Sequence, residues 1–416
     1  MGSALIRAGH PHAMRDFLRW YAEFQAEDGK LPDCVDREGP EWLPEFDAYG
    51  EFIYAVVEYF RFTGDGAFLS EMKVAVSKTL SYLEGLRRKR LTKEYQSGEN
   101  KACYGLLPES MSHEGYMAHP VHAYWDDFWA LRGIADASLM ANVFGDTSEA
   151  ARLTALKEEF SRNITASLRA AMARHQIDFI PGSVEFGDFD PAATSIAVNL
   201  LDQLPLLPQP EIQNTFDRYM EGFRKRRDGA AAWNNYSAYE IRIIGALVRL
   251  GRRRDALEVL ECMLADRRIP PWNQWPEISW HDPSGPSFIG DLPHTWISAE
   301  YMLSIFTMFA YEREEDESLV LAAGVSEEWL ADGFEVGVRS LPTYYGNLTY
   351  SLRMESAGTL RLKLERDLVM PGGGIVVKPP LPRPIRRVVI NGKSPSEFKA
   401  DAFTCRDCPA EALVSF

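Results

Sequence analysis

The sequence has no apolar run approaching the eighteen or so residues of a bilayer-crossing helix, so no membrane span is expected. Cysteine is sparse. Cys34, Cys103, Cys262, Cys405 and Cys408 are an odd number scattered over 416 residues, which excludes a disulfide framework. Cys405 and Cys408 have CxxC spacing, but no second pair or histidine cluster completes a metal set and the flanking pattern is not βαβ, so neither metal nor cofactor is expected. Positive charge is also short. A net charge of -15 argues against nucleic acid or an anionic membrane as partner, since both demand a basic face. The basic runs at 87–90, 224–227 and 252–254 fall at ends or junctions of helical patterns, where cations complement the dipole and stay solvated. The N-terminus, MGSALIRAGHPHAMRDF, lacks the apolar centre of a signal peptide, so the expected compartment is the cytoplasm; Met-Gly-Ser is also what a cloning scar leaves, and a removed targeting segment stays open.

What is present is core-forming material, 46% hydrophobic residues, arranged mostly at helical spacing. Helices are expected from Pro11 to Glu27, over the run that includes Phe52, Ile53, Val56, Val57 and Phe60, and from Ala67 to Leu86. The loop 91–121 comes next, then a helix to Val143 and another from Ser148 to Ala173. Beyond a second loop, FIPGSVEFGDFDP, come helices at 192–201, 211–225, 234–250 and 253–266, a third loop at 268–292, and a helix from His294 to Tyr311. Helices arrive in pairs, and the more apolar member of each pair comes after a loop rich in aromatics and acids. Such members begin near Asp47, Asp126, Pro191, Asn234 and His294. The pattern suggests an (α/α)6-type helical toroid, with an irregular bundle as the other solution. After REEDES at 313–318 the period changes to two; LRLKLER, GIVVKPP, RRVVI and the Asn391-Gly392 turn read as strands and a hairpin. The domain reading is therefore a helical domain over 1–312 and a small antiparallel β-sandwich over 319–416.

The segment HPVHAYWDDFWALRG sets Asp126 and Asp127 among Trp125, Phe128 and Trp129 at a helix start. A lone Asp there is an N-cap or a dipole partner. Two adjacent carboxylates walled by aromatics are different, because desolvation and a like charge raise one carboxyl pKa while its neighbour stays ionised. Further acids stand in comparable loops: Glu45 and Asp47 in PEFDAYG, Glu109 and Glu114 in PESMSHEG, and Glu277 between Trp275 and Trp280. Trp42, Trp125, Trp129, Trp233, Trp272, Trp275, Trp280 and Trp296 lie in or within one turn of these loops. Aromatics mixed with carboxylates and amides suit a polyol with apolar C–H faces and many hydroxyls. Two carboxylates from different elements are the equipment of glycoside hydrolysis.

These segments resemble the inverting (α/α)6-barrel glycoside hydrolases, the glucoamylases and their relatives among trehalases, glycogen-debranching enzymes and α-L-rhamnosidases. EFDAYGEFIYAV is similar to the segment lining the terminal-sugar subsite, which implies that Asp47 binds hydroxyls. YWDDFWALRG resembles the tryptophan-carboxylate motif of the general acid, with Asp126 at that place although glucoamylases usually have Glu. PEISWHDPSGPSFIGDLPHTW resembles the general-base loop, with Glu277 as the base. GVSEEWL and LPTYYGNLTYSL are closer to the β-domain that succeeds the barrel in rhamnosidase-type proteins. The resemblance implies hydrolysis of a terminal glycosidic bond of an oligosaccharide or glycoconjugate with inversion, Asp126 as acid and Glu277 as base, Asp127 remaining the alternative acid. Glu45, Trp125, Trp129, His113, Glu114, Trp233, Asn234, Trp275, Trp280 and His294 are the candidate sugar contacts. A non-catalytic carbohydrate-binding barrel and a disaccharide phosphorylase are the competing readings.

Overall fold

The computed structural model describes the chain except His113, Glu114, Asn234, Asn235, Pro286 and Ser287; for Tyr236, Ser237, Ala238, Ser279 and Asp332 it describes the backbone alone. The helices, in chain order, are α1 (Gly2–Arg7), α2 (Pro11–Ala22), α3 (Asp47–Thr63), α4 (Gly66–Arg88), α5 (Tyr124–Val143), α6 (Thr147–His175), α7 (Pro191–Val198), α8 (Glu211–Arg227), α9 (Ile243–Arg249), α10 (Arg253–Ala265) and α11 (Thr295–Phe309). None of the described helices is long and apolar enough to cross a membrane. The chain divides into two compact units, Pro11–Lys225 with Gly2, and Ser3–His10 with Arg226–Phe416 and Met1.

In the Pro11–Lys225 unit, local chemistry sets the helix ends. Gly64 closes α3 in the left-handed region at φ 68°, the conformation a residue without Cβ adopts freely. Asp65, Asp146 and Asp190 cap α4, α6 and α7, each accepting a backbone N–H from three residues on. The apolar α3 and α5 form the centre of this unit, and Tyr124 to Gly133 of α5 are buried without interruption. Two glycines make that pairing possible. A Cβ on Gly50 of α3 would lie 2.2 Å from the Trp129 carbonyl oxygen, and one on Gly133 of α5 would lie 2.9 Å from the Gly50 Cα, so the two backbones approach where only hydrogen fits. Farther along, Asp136 of α5 accepts the Arg132 Nε–H at 2.8 Å and lies 2.9 Å from Arg61 of α3, a buried ion cluster.

Among the described residues the second unit holds α1 from Ser3 on, α9 to α11 and the strands β1 (Tyr236–Ser237), β2 (Ile278–Ser279), β3 (Ala310–Arg313), β4 (Ser318–Leu321), β5 (Glu335–Thr343), β6 (Gly346–Ser356), β7 (Thr359–Leu364), β8 (Gly374–Val377), β9 (Arg387–Ile390), β10 (Phe403–Cys405) and β11 (Ala410–Ser415). β1 and β2 form a two-stranded ladder, β10-β8-β4-β3 a four-stranded sheet whose β4–β8 pair is parallel, and β5-β6-β7-β11-β9 an antiparallel sheet. Alternation is strict where the sheet has one buried face: Leu360, Leu362 and Leu364 of β7 point inward while Arg361 and Lys363 do not. Leu319 and Ile375 of one sheet and Leu348 and Val414 of the other belong to a single apolar core. Asn391 and Gly392 both have positive φ, 48° and 78°, as the Asn-Gly turn after β9 requires.

Two contacts tie distant parts of this unit together. Arg253, at the start of α10, donates to the carbonyl oxygens of Ala322, Ala323, Lys378 and Pro379 at 2.6–3.2 Å. Burial pulls its guanidinium below its ordinary value. Arg7 of α1 donates to Glu312 of β3 at 2.8 Å. The helix expected at 234–250 differs from the structure: residues Tyr236 and Ser237 pair with Ser279 and Ile278, a 3-10 turn covers Ala238–Arg242, and α-helix begins only at Ile243. The ladder takes residues that an earlier helical turn would have used.

Candidate active site

In the Pro11–Lys225 unit, Asp47 opens α3, and Asp126 and Asp127 lie in the first turn of α5. All are buried, Asp126 and Asp127 at 1% exposure each. The Trp125 indole N–H donates to Asp47 Oδ2 at 2.8 Å. The loop 106–112 lies over the start of α5. From it the Leu107 N–H donates to Asp127 Oδ1 at 2.9 Å, the Ser110 hydroxyl to Asp126 Oδ2 at 2.5 Å, and the Ser112 hydroxyl to Asp126 Oδ1 at 3.1 Å. Among the described residues, no hydrogen-bond partner reaches the buried Asp127 Oδ2.

These surroundings raise both carboxyls. Burial lifts Asp126 well above the ordinary carboxylate range, the negative charge of Asp47 adds to the rise, and the Ser110 and Ser112 hydroxyls oppose it. Burial pushes Asp127 up to about 8 against the opposing Leu107 N–H and the Arg87 charge. The surroundings of both acids therefore favour the protonated form, the form that proton donation to a leaving oxygen demands. Trp129 is buried, edge-on to Trp125 at 6.2 Å and to Tyr54 at 5.5 Å. Glu45 is half-buried just before α3. His113, Glu114 and Asn234 lie outside the described residues.

The loop bearing Ser110 is fixed by a second network. Ser110 and Val121 exchange backbone hydrogen bonds at 2.9 and 3.0 Å. Glu109 pairs with Arg90, whose Nε–H donates to His122 Nε2 at 3.0 Å. An arginine only donates, so His122 carries its proton on Nδ1, which donates to Glu185 at 2.6 Å. Cys103, His122 and Glu185 could together reach a metal ion. Their chemistry fits one poorly, since Arg90 occupies the Nε2 lone pair and burial pushes the Cys103 thiol up to about 12.

In the Arg226–Phe416 part, Glu277 is half-buried. Its Oε1 accepts the Tyr239 hydroxyl at 3.0 Å, and its own N–H donates to Asp291 at 2.8 Å. His294 caps α11, its Nδ1 accepting the Ile297 N–H at 3.4 Å, and its Nε2 lies 3.7 Å from Glu277 and 3.6 Å from Asp291. Glu277, Asp291 and His294 also have metal-ligand proximity. With Nδ1 accepting the Ile297 N–H, the ring proton sits on Nε2, the nitrogen near both carboxylates. Trp275 is buried and donates to the Met263 carbonyl at 2.8 Å, Trp233 stacks on His281 at 4.6 Å, and Trp280 is exposed. Sequence reasoning missed Ser110, Ser112, Tyr239 and Asp291. The two serines lie in the PESMSHEG loop, singled out for its glutamates and His113.

No family model matches the chain, and no curated protein matches it. Solved structures do. The α-L-rhamnosidase from Dictyoglumus thermophilum aligns at TM-score 0.54 and 12% identity, over 100% of this chain and 46% of its own. The Streptomyces avermitilis α-L-rhamnosidase, in complex with L-rhamnose, aligns at 0.57 and 15%, over 100% and 38%. The GH78 family rhamnosidase of Bacillus sp. GL1 aligns at 0.55 and 17%, over 89% and 36%. The chain thus shares the helical-plus-β fold of these glycoside hydrolases and spans less than half the length of each.

Proposed function

We propose that this chain carries the catalytic part of a glycoside hydrolase acting on a terminal α-L-rhamnoside, on an (α/α)6-type arrangement of its helices. The observation that carries the reading is the buried carboxyl of Asp126 at the start of α5, raised by burial and clasped by Ser110 and Ser112. The likeness in fold to α-L-rhamnosidases supports the substrate class. Asp126 gives its proton to the glycosidic oxygen as the bond from the anomeric carbon breaks. Glu277 takes a proton from a water whose oxygen bonds to that carbon from the opposite face, with inversion. Asp47 binds sugar hydroxyls and raises the Asp126 carboxyl by its charge. Asp127 remains protonated beside it and keeps a second negative charge away from the site at neutral pH.

The test is a panel of nitrophenyl and alkyl glycosides with the product anomer tracked by NMR. Release of L-rhamnose with inverted configuration is expected; retained configuration refutes the mechanism, and turnover of another glycoside alone refutes the substrate class. Asp126→Asn should abolish turnover of alkyl rhamnosides yet spare substrates whose leaving group departs without a proton. Glu277→Gln should abolish both. Full activity of either variant removes that residue from the scheme.

A further inference from the structure

Ser112 holds its backbone at φ 39°, in the left-handed region that glycine occupies without cost and a residue with a Cβ does not. It is also buried, at 2% exposure, and Ser110 is fully enclosed. A turn needing only that conformation is better served by Gly, so a serine there points to its hydroxyl, which donates to Asp126 Oδ1 at 3.1 Å. Ser110 shows the same commitment. Its oxygen accepts the Ser112 N–H at 3.2 Å, which leaves its single proton directed at Asp126 Oδ2 at 2.5 Å. Both oxygens of one carboxyl are thereby claimed by hydroxyls from one loop, while its neighbour Asp127 receives one backbone N–H and has an oxygen with no partner among the described residues.

We propose that Ser110 and Ser112 are positioning residues that lock the Asp126 carboxyl in one rotamer and stabilise its anion, and so select Asp126 over Asp127 as the proton donor. The proposal rests on the hydrolase reading above for its kinetic consequences, but not for its titration. Hydroxyls donating to the anion oppose burial and the Asp47 charge; removing them makes the acid hold its proton more tightly and lets the carboxyl swing.

The experiment measures kcat and KM against pH for the wild-type protein, Ser112→Gly, Ser110→Ala and Ser110→Thr, with the Asp126 carboxyl titrated by carbon-13 NMR and assigned through Asp126→Asn. Ser112→Gly should be at least as stable as wild type, because its backbone strain is relieved. It should nevertheless lose at least about tenfold in kcat with KM little changed, since positioned acids contribute on the order of 10²–10⁴-fold, and its alkaline limb should move to higher pH. Ser110→Ala should do the same, and Ser110→Thr, which keeps the hydroxyl, should restore the wild-type limb. A stable Ser112→Gly with wild-type kinetics and an unmoved Asp126 titration overturns the proposal. If the wild-type protein cleaves no glycoside, the hydrolase reading fails alone, and the titration decides this one: a rise in both serine variants supports it, an unmoved carboxyl refutes it.

Discussion

The close backbone approach of α3 and α5 at Gly50 makes a sharp prediction for Gly50→Ala. The added methyl would sit 2.2 Å from the Trp129 carbonyl oxygen, 2.3 Å from its carbon and 2.8 Å from the Ala130 nitrogen, all backbone atoms of a helix. No rotamer change relieves such a clash, so the helices must part by roughly 1 Å to restore ordinary contact. Overpacking a core costs about 1–3 kcal/mol when side chains yield, and a rigid backbone neighbour places this case at the upper end. Alanine returns about 1 kcal/mol through its better helix propensity, leaving a net loss of about 2 kcal/mol. Gly85 of α4 is the matched control, since nothing lies within 4 Å of its would-be methyl. Gly85→Ala should therefore stabilise by up to about 1 kcal/mol. Urea denaturation of both variants decides the matter through opposite shifts of the midpoint. Trp129 lies one turn from Asp126, so the Gly50 variant should also lose turnover, on the order of 10²-fold for a displacement near 1 Å. Equal midpoints for Gly50→Ala and wild type would mean that the two helices do not meet at these glycines.

Other predictions concern charge. Asp127 titrates near 8 in the fold against an ordinary 3.8, so its protonated form is favoured by folding. Its contribution is complete at acid pH below the unfolded value, is lost as pH rises toward 8, and is level above that. Asp127→Asn should remove about 1.4 kcal/mol per pH unit from the slope of stability over roughly pH 5–7.5; an unchanged slope by urea titration refutes the assignment. Arg253→Met removes a side-chain donor from four carbonyl oxygens, of which those of Ala322 and Pro379 keep a backbone N–H. A loss of about 2–4 kcal/mol is expected, seen as a lowered Tm, and a Tm within error of wild type would show the clamp to be idle.

Much of the helical part was legible because its signals are local. A carboxylate at the N-cap, as at Asp146 and Asp190, or a glycine after the last turn, as at Gly64, marks a boundary whatever lies across the core. The Asn391-Gly392 turn was readable for the same reason. The pairing of Asp126 and Asp127 with aromatics signalled desolvation, and both are enclosed. What the aromatics do was less visible. Trp125 and Trp129 suggested sugar contacts from composition, yet burial depends on what packs from elsewhere in the chain, and here α3 covers them. Ser110 and Ser112 reach Asp126 across 16 and 14 residues of irregular loop, a spacing with no period to detect. The late start of α9 likewise comes from β1 pairing with β2 some forty residues on, a long-range choice that local propensity does not encode.

The contact between α1 and β3 has a consequence for how the protein comes off the ribosome. Arg7 and Glu312 are 305 residues apart. At synthesis rates of about 5–20 residues per second, α1 waits roughly 15–60 s for its partner to be made. Pro11–Lys225, encoded between them, is complete well before that. Ala4 and Ile6, buried in the finished protein, belong to the unit that is completed last. The Arg7–Glu312 contact is thus a late step of biogenesis, made only after the Pro11–Lys225 unit between its two partners has been synthesised.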